Sequence, residues 1–265
     1  MIFTTSDSAR ISYSDEGAGT PVVLVHGLGS RGAHWIFQRG ELLDAGYRVI
    51  AADLRFHGDS SSTQNGHRVA RLGQDIAELL TELQLNAVTL IGHSMGVSVL
   101  LAAIASIGTG PIEKVVMIDQ SPRIVNDHDW SLGVRGVTWE RLEAQLAGTE
   151  QWGDPTREPA MPSHVRRMLA QHPFADLFAG PHSALVTDHF VADWRDEVPL
   201  IDVPAWIATG RHAPGFPLEA MQWLVNALPD ARLTVYEDSG HTPHWNEPEA
   251  FNRDLLRFLQ ASMAV

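Results

Sequence analysis

Ala87-Val-Thr-Leu-Ile91, then Gly92-His93-Ser94-Met95-Gly96, then Val97-Ser-Val-Leu-Leu-Ala-Ala-Ile-Ala-Ser-Ile107 follow one another without a break. The first five residues form a run with no polar alternation, the pattern of a strand buried on both faces. The last eleven open a helix-like run. A G-x-S-x-G pentapeptide lies between them, and the strand–turn–helix context gives that match its meaning. A chain that leaves a strand and enters a helix in so few residues must force strained backbone angles on the central residue and bring neighbouring chain very close. Glycines on both sides relieve the crowding. The result is a serine oxygen raised above the sheet, with a helix N-terminus beneath it that favours developing negative charge.

Outward from this stretch the same rhythm repeats. Val22 to Val25, Tyr47 to Ala52 and Val115 to Ile118 are further continuous apolar runs. Amphipathic segments separate them, the clearest placing Leu72, Ile76, Leu79, Leu80 and Leu83 on one helical face. Strands joined by helices of that length imply right-handed crossovers and a mostly parallel, doubly wound α/β sheet. After Asp119 the rhythm stops. It resumes with a strand over Ala205 to Thr209, a helix near Leu218 to Leu228, a strand over Arg232 to Tyr236 and a final helix from Glu249 to Leu259.

The interruption, 120–198, carries helical patches (Trp139 to Ala147, Ser163 to Gln171, Ala184 to Asp196) broken by Gly and Pro, with four of the eight tryptophans and five of the thirteen histidines. An insertion at the carboxyl edge of a parallel sheet lies where such sheets bind ligands. The expected organisation is one α/β core over 1–119 and 199–265, with 120–198 as a helical lid.

Composition bounds the rest. The chain has 265 residues, 44% hydrophobic and 19% charged, which fits a globular protein and argues against disorder or fibrous structure. Nineteen basic against 32 acidic residues give a net charge of −13, and Lys114 is the single lysine; a phosphate-binding surface, and so a nucleic-acid partner, is not expected. Zero cysteines exclude disulfides, thiolate metal sites and a cysteine nucleophile. The opening residues lack a basic and an apolar signal region, and no apolar run reaches the roughly 18 to 20 residues of a membrane span, so a cytoplasmic protein without a membrane partner is expected. The histidines show no H-E-x-x-H or comparable spacing, so no metal is expected.

An alcohol is nearly unreactive at neutral pH, so Ser94 needs an imidazole in reach to take its proton. His241, in Asp238-Ser239-Gly240-His241 between the last strand and the last helix, ends on the same sheet edge; His244 is its local rival. Val25-His26-Gly27-Leu28-Gly29 follows an earlier strand and can turn the Leu28 amide towards the space above Ser94, where it would form an oxyanion hole with the Met95 amide.

These residues resemble the α/β-hydrolase fold superfamily over nearly the whole chain. The matching stretches are His26 to Trp35 (HGLGSRGAHW), Asp53 to Ser60 (DLRFHGDS), Gly92 to Gly96 and Ser239 to Phe251 (SGHTPHWNEPEAF). The resemblance implies a fold more than a substrate, since one fold hosts many chemistries. In most members the triad acid follows the next-to-last strand as G-x-x-D; here that strand runs into Gly210-Arg211-His212-Ala213, with alanine at the acid's position. The imidazolium formed in catalysis still needs a carboxylate. Asp119, directly after the strand that follows the nucleophile strand, is the expected substitute, as in zearalenone-lactonase-like and cofactor-free dioxygenase-like members, with Asp202 and Asp238 as other candidates. Members that resemble haloalkane dehalogenases and epoxide hydrolases use an aspartate nucleophile, and the serine here suits acyl carbon instead.

The substrate is expected to be a small molecule, hydrophobic or aromatic, met by Trp35, His93, Trp139 and Trp152. The expected function is a serine hydrolase of a small or medium carboxylic ester or lactone that needs no cofactor. The alternative is a cofactor-independent dioxygenase that cleaves a 3-hydroxy-4-oxoquinoline-type ring with the His–Asp pair, and a hormone-receptor-like binder is a third.

Overall fold

A computed structural model describes residues 1–178 and 182–261. Eight strands form one sheet: β1 (Ile2–Thr4), β2 (Arg10–Glu16), β3 (Pro21–Val25), β4 (Arg48–Ala52), β5 (Val88–His93), β6 (Ile112–Ile118), β7 (Ala205–Gly210) and β8 (Ala231–Tyr236). Their order is β1-β2-β4-β3-β5-β6-β7-β8. The pairs β1–β2 and β2–β4 are antiparallel and the rest are parallel.

Alternate residues of the central strands feed two separate cores, which is why their sequences show no polar alternation. Val23, Val25, Leu90, Val115, Met117 and Ile207 face α2 (Val69–Glu82), α3 (Met95–Ile107) and α7 (Leu218–Ala227), numbered with the helices below in chain order. Val22, Leu24, Ile91, Val116, Ile118 and Trp206 face α1 (Ile36–Asp44) and α9 (Pro248–Gln260). In α2 the expected apolar face is the buried one: Leu72, Ile76, Leu79 and Leu80 are all at most 2% exposed.

Among the described residues of 120–198 there is no strand, only the isolated bridges Arg123–Asp193 and Asn126–Thr138. The segment carries α4 (Leu142–Leu146), α5 (Ser163–Gln171) and α6 (Ser183–Val191). α5 matches the expected span; α4 and α6 are shorter than expected. Ile124, Val134, Leu142, Leu185 and Phe190 join the α2/α3 core. The short α8 (Pro243–Asn246) precedes α9. Among the described residues no helix is long and apolar enough to cross a membrane.

Candidate active site

Ser94 joins β5 to α3 at φ 53° and ψ −128°, a region that side-chain-bearing residues enter only when their surroundings hold them there. A Cβ on Gly96 would fall 2.2 Å from the Val25 carbonyl oxygen, and one on Gly92 would fall 2.8 Å from the Gly96 carbonyl. Both positions therefore have to be glycine for the turn to close. The Ser94 N–H donates to the Ile118 carbonyl at 2.9 Å and the Val97 N–H to the Ser94 carbonyl at 2.8 Å, which fastens the turn to β6 and starts α3.

The strand after the nucleophile strand delivers Asp119, which is fully buried with φ 45°. Its Oδ2 lies 2.5 Å from Nδ1 of His241, and its Oδ1 accepts from the Thr209 hydroxyl. A carboxylate only accepts, so Nδ1 of His241 carries the hydrogen and Nε2 is left to act as a base. Burial pulls the His241 pKa down, but the hydrogen bond and charge of Asp119, with the charge of Glu158, outweigh burial and hold it above the ordinary histidine value.

Glu158 comes from the segment between β6 and β7. Its Oε2 accepts the His241 main-chain N–H at 3.0 Å, and a Cβ on Gly240 would meet that oxygen at 2.2 Å. Burial pushes the Glu158 pKa up, opposed by that N–H and by the charge of His241. Behind the same loop, Glu247 accepts from the Ser239 hydroxyl at 2.6 Å and the Asp238 N–H at 3.1 Å. The loop that carries His241 is thus clamped on both sides.

His26 fixes the turn after β3. Its Nδ1 bonds the Gly27 carbonyl at 2.8 Å and its Nε2 the Leu54 N–H at 2.9 Å; a carbonyl accepts and an amide donates, so the ring is neutral with its hydrogen on Nδ1. Burial, with the neighbouring His57, holds its pKa well below the usual value. Asp53 braces the same turn by accepting the Gly32 N–H at 2.7 Å and the Asp59 N–H at 2.8 Å. Leu28 borders the cavity that Ser94 borders, and Met95 is the first residue of α3, where N–H groups have no partner within the helix.

Two cavities adjoin at this sheet edge. The inner one, about 380 Å³, is bounded by Ser94, Leu28, His241, Ile124, Val134 and Phe216 among others. The outer one, about 850 Å³, is bounded by Glu158, Met161 and Leu146 among others. Trp152, Phe174, Phe178, His241 and Trp245 wall both.

The structure therefore brings Ser94, His241 and Asp119 to one edge, with Leu28, Met95, His93 and Trp152 around them. His93 borders the inner cavity, but its Nε2 donates to the His241 carbonyl at 3.0 Å, so the ring supports the loop. Two expected pocket residues are elsewhere. Trp35 is 2% exposed in the core with Leu24, Leu42 and Phe251 and packs on the His244 ring at 4.8 Å; the turn after β3 points it beneath the sheet edge. Trp139 is 48% exposed and borders neither cavity, because its short helix begins only at Leu142. His244 is buried between Trp35 and His93. Asp202 is exposed at the amino end of β7, where it accepts from Thr109 at 2.6 Å, and Asp238 is exposed.

Thr209, Glu158, Gln120, His189 and Trp245 are site residues that motif reading did not single out. Thr209 had a signal: Ile118 pairs with Ala208, so the next residue of each strand, Asp119 and Thr209, must be neighbours. For Glu158 the sequence offers none.

A profile described as "Alpha/beta hydrolase family" matches residues 22–254. The chain is 31% identical to the non-heme chloroperoxidase CPO-A1 of Kitasatospora aureofaciens over 97% of this chain and 98% of that protein. Among solved structures it superposes on an esterase from Exiguobacterium antarcticum, EaEST, with a TM-score of 0.85 and 25% identity over 98% of this chain and 99% of that one. It superposes on a bromoperoxidase from Bacillus anthracis with a TM-score of 0.80 and 28% identity over 96% of each chain. By profile, sequence and fold alike, the chain belongs to the α/β hydrolase family.

Proposed function

We propose that the protein is a serine hydrolase of a small or medium carboxylic ester or lactone, with Ser94, His241 and Asp119 as its triad. The Ser94 proton passes to Nε2 of His241 while Oγ bonds to the acyl carbon. The Leu28 and Met95 amides hold the oxyanion. Collapse expels the alcohol oxygen, which takes the proton from His241, and a water activated by the same ring then releases the acid and restores Ser94. Asp119 offsets the imidazolium charge throughout. Residues 120–198 act as the lid over both cavities. The observation that carries this reading is the 2.5 Å contact between Asp119 and His241 on the sheet edge that also carries Ser94 in a strained turn. Likeness to a protein named as an esterase at 25% identity supports it.

The test is turnover of 4-nitrophenyl esters, with a fluorophosphonate probe followed to the labelled peptide. Wild type should hydrolyse the esters and be labelled at Ser94; Ser94→Ala should lose about 10,000-fold or more of kcat and all labelling. Ester turnover that survives in Ser94→Ala overturns the reading. Oxygen uptake that survives Ser94→Ala and vanishes in His241→Ala replaces it with the cofactor-free dioxygenase.

A further inference from the structure

The inner cavity is walled mostly by apolar side chains, and among the described residues no Asp, Glu, Lys or Arg borders it. Besides Ser30, which bonds the His34 ring at 2.7 Å, and His93, which bonds the His241 carbonyl, two buried polar side chains in that wall have no role in the triad. Gln120 directly follows Asp119 and is 2% exposed. Its Nε2 donates to the Ser121 carbonyl at 3.0 Å; a carbonyl only accepts, so the amide nitrogen is the atom that faces it. The remaining oxygen, Oε1, is buried with no partner. His189, on α6, is 5% exposed, and its Nδ1 is likewise buried with no partner. Burial pushes its pKa down to about 3, so the ring stays neutral and presents one donor and one acceptor nitrogen. Trp245 Nε1 also lacks a partner, but that ring walls the closed space among His34, Trp35 and His244 as well, so it does not identify a ligand group.

Buried polar groups without partners are uncommon, and in an apolar ligand cavity a few such groups are what orient a ligand. Gln120 Oε1 can only accept. The neutral imidazole of His189 can complete the pairing from a second element. With no ionic side chain in the wall, a carboxylate, phosphate or ammonium group would enter uncompensated.

We infer that Gln120 and His189 form a recognition site in the inner cavity for a neutral hydrogen-bond donor, a hydroxyl or an amide N–H, on an otherwise apolar part of the substrate. This rests on the hydrolase reading for the reaction, not for the binding. It sets the substrate class as hydroxylated or amide-bearing neutral esters and lactones rather than plain alkyl esters or half-esters of diacids.

The experiment uses two readouts. One is calorimetric binding to Ser94→Ala of methyl 3-phenylpropanoate and its 2-, 3- and 4-hydroxyphenyl and 4-carboxyphenyl counterparts. The other is kcat/KM of wild type on the corresponding 4-nitrophenyl esters. The expected result is that one hydroxylated isomer binds and reacts at least about tenfold better than its parent, with the carboxylate worst. That preference should collapse to about onefold in Gln120→Met and fall in His189→Phe, the second variant lying in a different element and so covering a folding failure of the first. A parent ester that binds as well as every hydroxylated isomer, or a preference untouched in both variants, overturns the inference. Preferential binding without turnover in wild type would sustain it and defeat the hydrolase reading.

Discussion

The Asp119 carboxylate is held from two sides, by the His241 ring through Oδ2 and by the Thr209 hydroxyl through Oδ1. A buried carboxylate left with one oxygen unpaired loses both stabilisation and fixed orientation. Thr209→Val keeps the shape of the side chain and removes its donor. It should lower kcat/KM about tenfold, equivalent to about 1.4 kcal/mol, while Thr209→Ser, which restores a hydroxyl, should recover most of the loss. Steady-state kinetics of the two variants check this. Equal losses in both would mean that packing, not the hydrogen bond, is what Thr209 contributes.

The turn at Ser94 shows how an element is written into sequence. Gly96→Ala would put a methyl group 2.2 Å from the Val25 carbonyl oxygen, and neither β3 nor α3 can retreat without opening the core between them. Overpacking of this kind costs about 1–3 kcal/mol. Gly96→Ala should therefore lose stability of that order in denaturant unfolding and lose ester turnover, while Gly40→Ala, mid-helix in α1 with nothing within 4 Å, should gain up to about 1 kcal/mol and keep its turnover. Elements buried on both faces were legible because burial leaves no polar residue in them: β3 to β8 fall within a few residues of the apolar runs. β1 and β2 were not. Arg10–Glu16 buries only Ile11 well and carries charge at three of its seven positions, as an edge-side antiparallel strand can. That Ser94, Asp119 and His241 lie at one sheet edge was readable, since each follows a strand whose end is fixed. Glu158 was not, because its place over Gly240 depends on how an irregular segment folds back, which no local pattern records.

Across the whole molecule six histidines are buried and burial lowers the pKa of each; five of them, 26, 57, 93, 189 and 244, are pushed down furthest and held neutral. Burial pushes His57 down to about 4 and His189 to about 3, and puts the other three well below the usual value. The unfolded chain takes up protons as pH falls below about 6.5 while these folded rings do not, so their contribution is complete above that pH and is lost as pH falls towards the folded values. Each ring that stays neutral withholds roughly 2 kcal/mol by pH 5. The melting temperature should drop by at least about 10 °C between pH 7 and pH 5, a range in which most carboxylates are still ionised; a flat profile over that range would contradict the neutral-core account.

His241, by contrast, is held above the ordinary histidine value by a buried acid, and the account stands on that pairing. The direct measurement is kcat/KM against pH for a 4-nitrophenyl ester in wild type, Asp119→Asn, Asp202→Asn and Asp238→Asn. His241 must be neutral to act, so wild-type activity should rise with pH through a value above 6.5. Asp119→Asn should fall by about 10,000-fold, with the two exposed aspartate variants within about threefold of wild type. An Asp119→Asn enzyme within tenfold of wild type, with the same pH limb, would contradict the account.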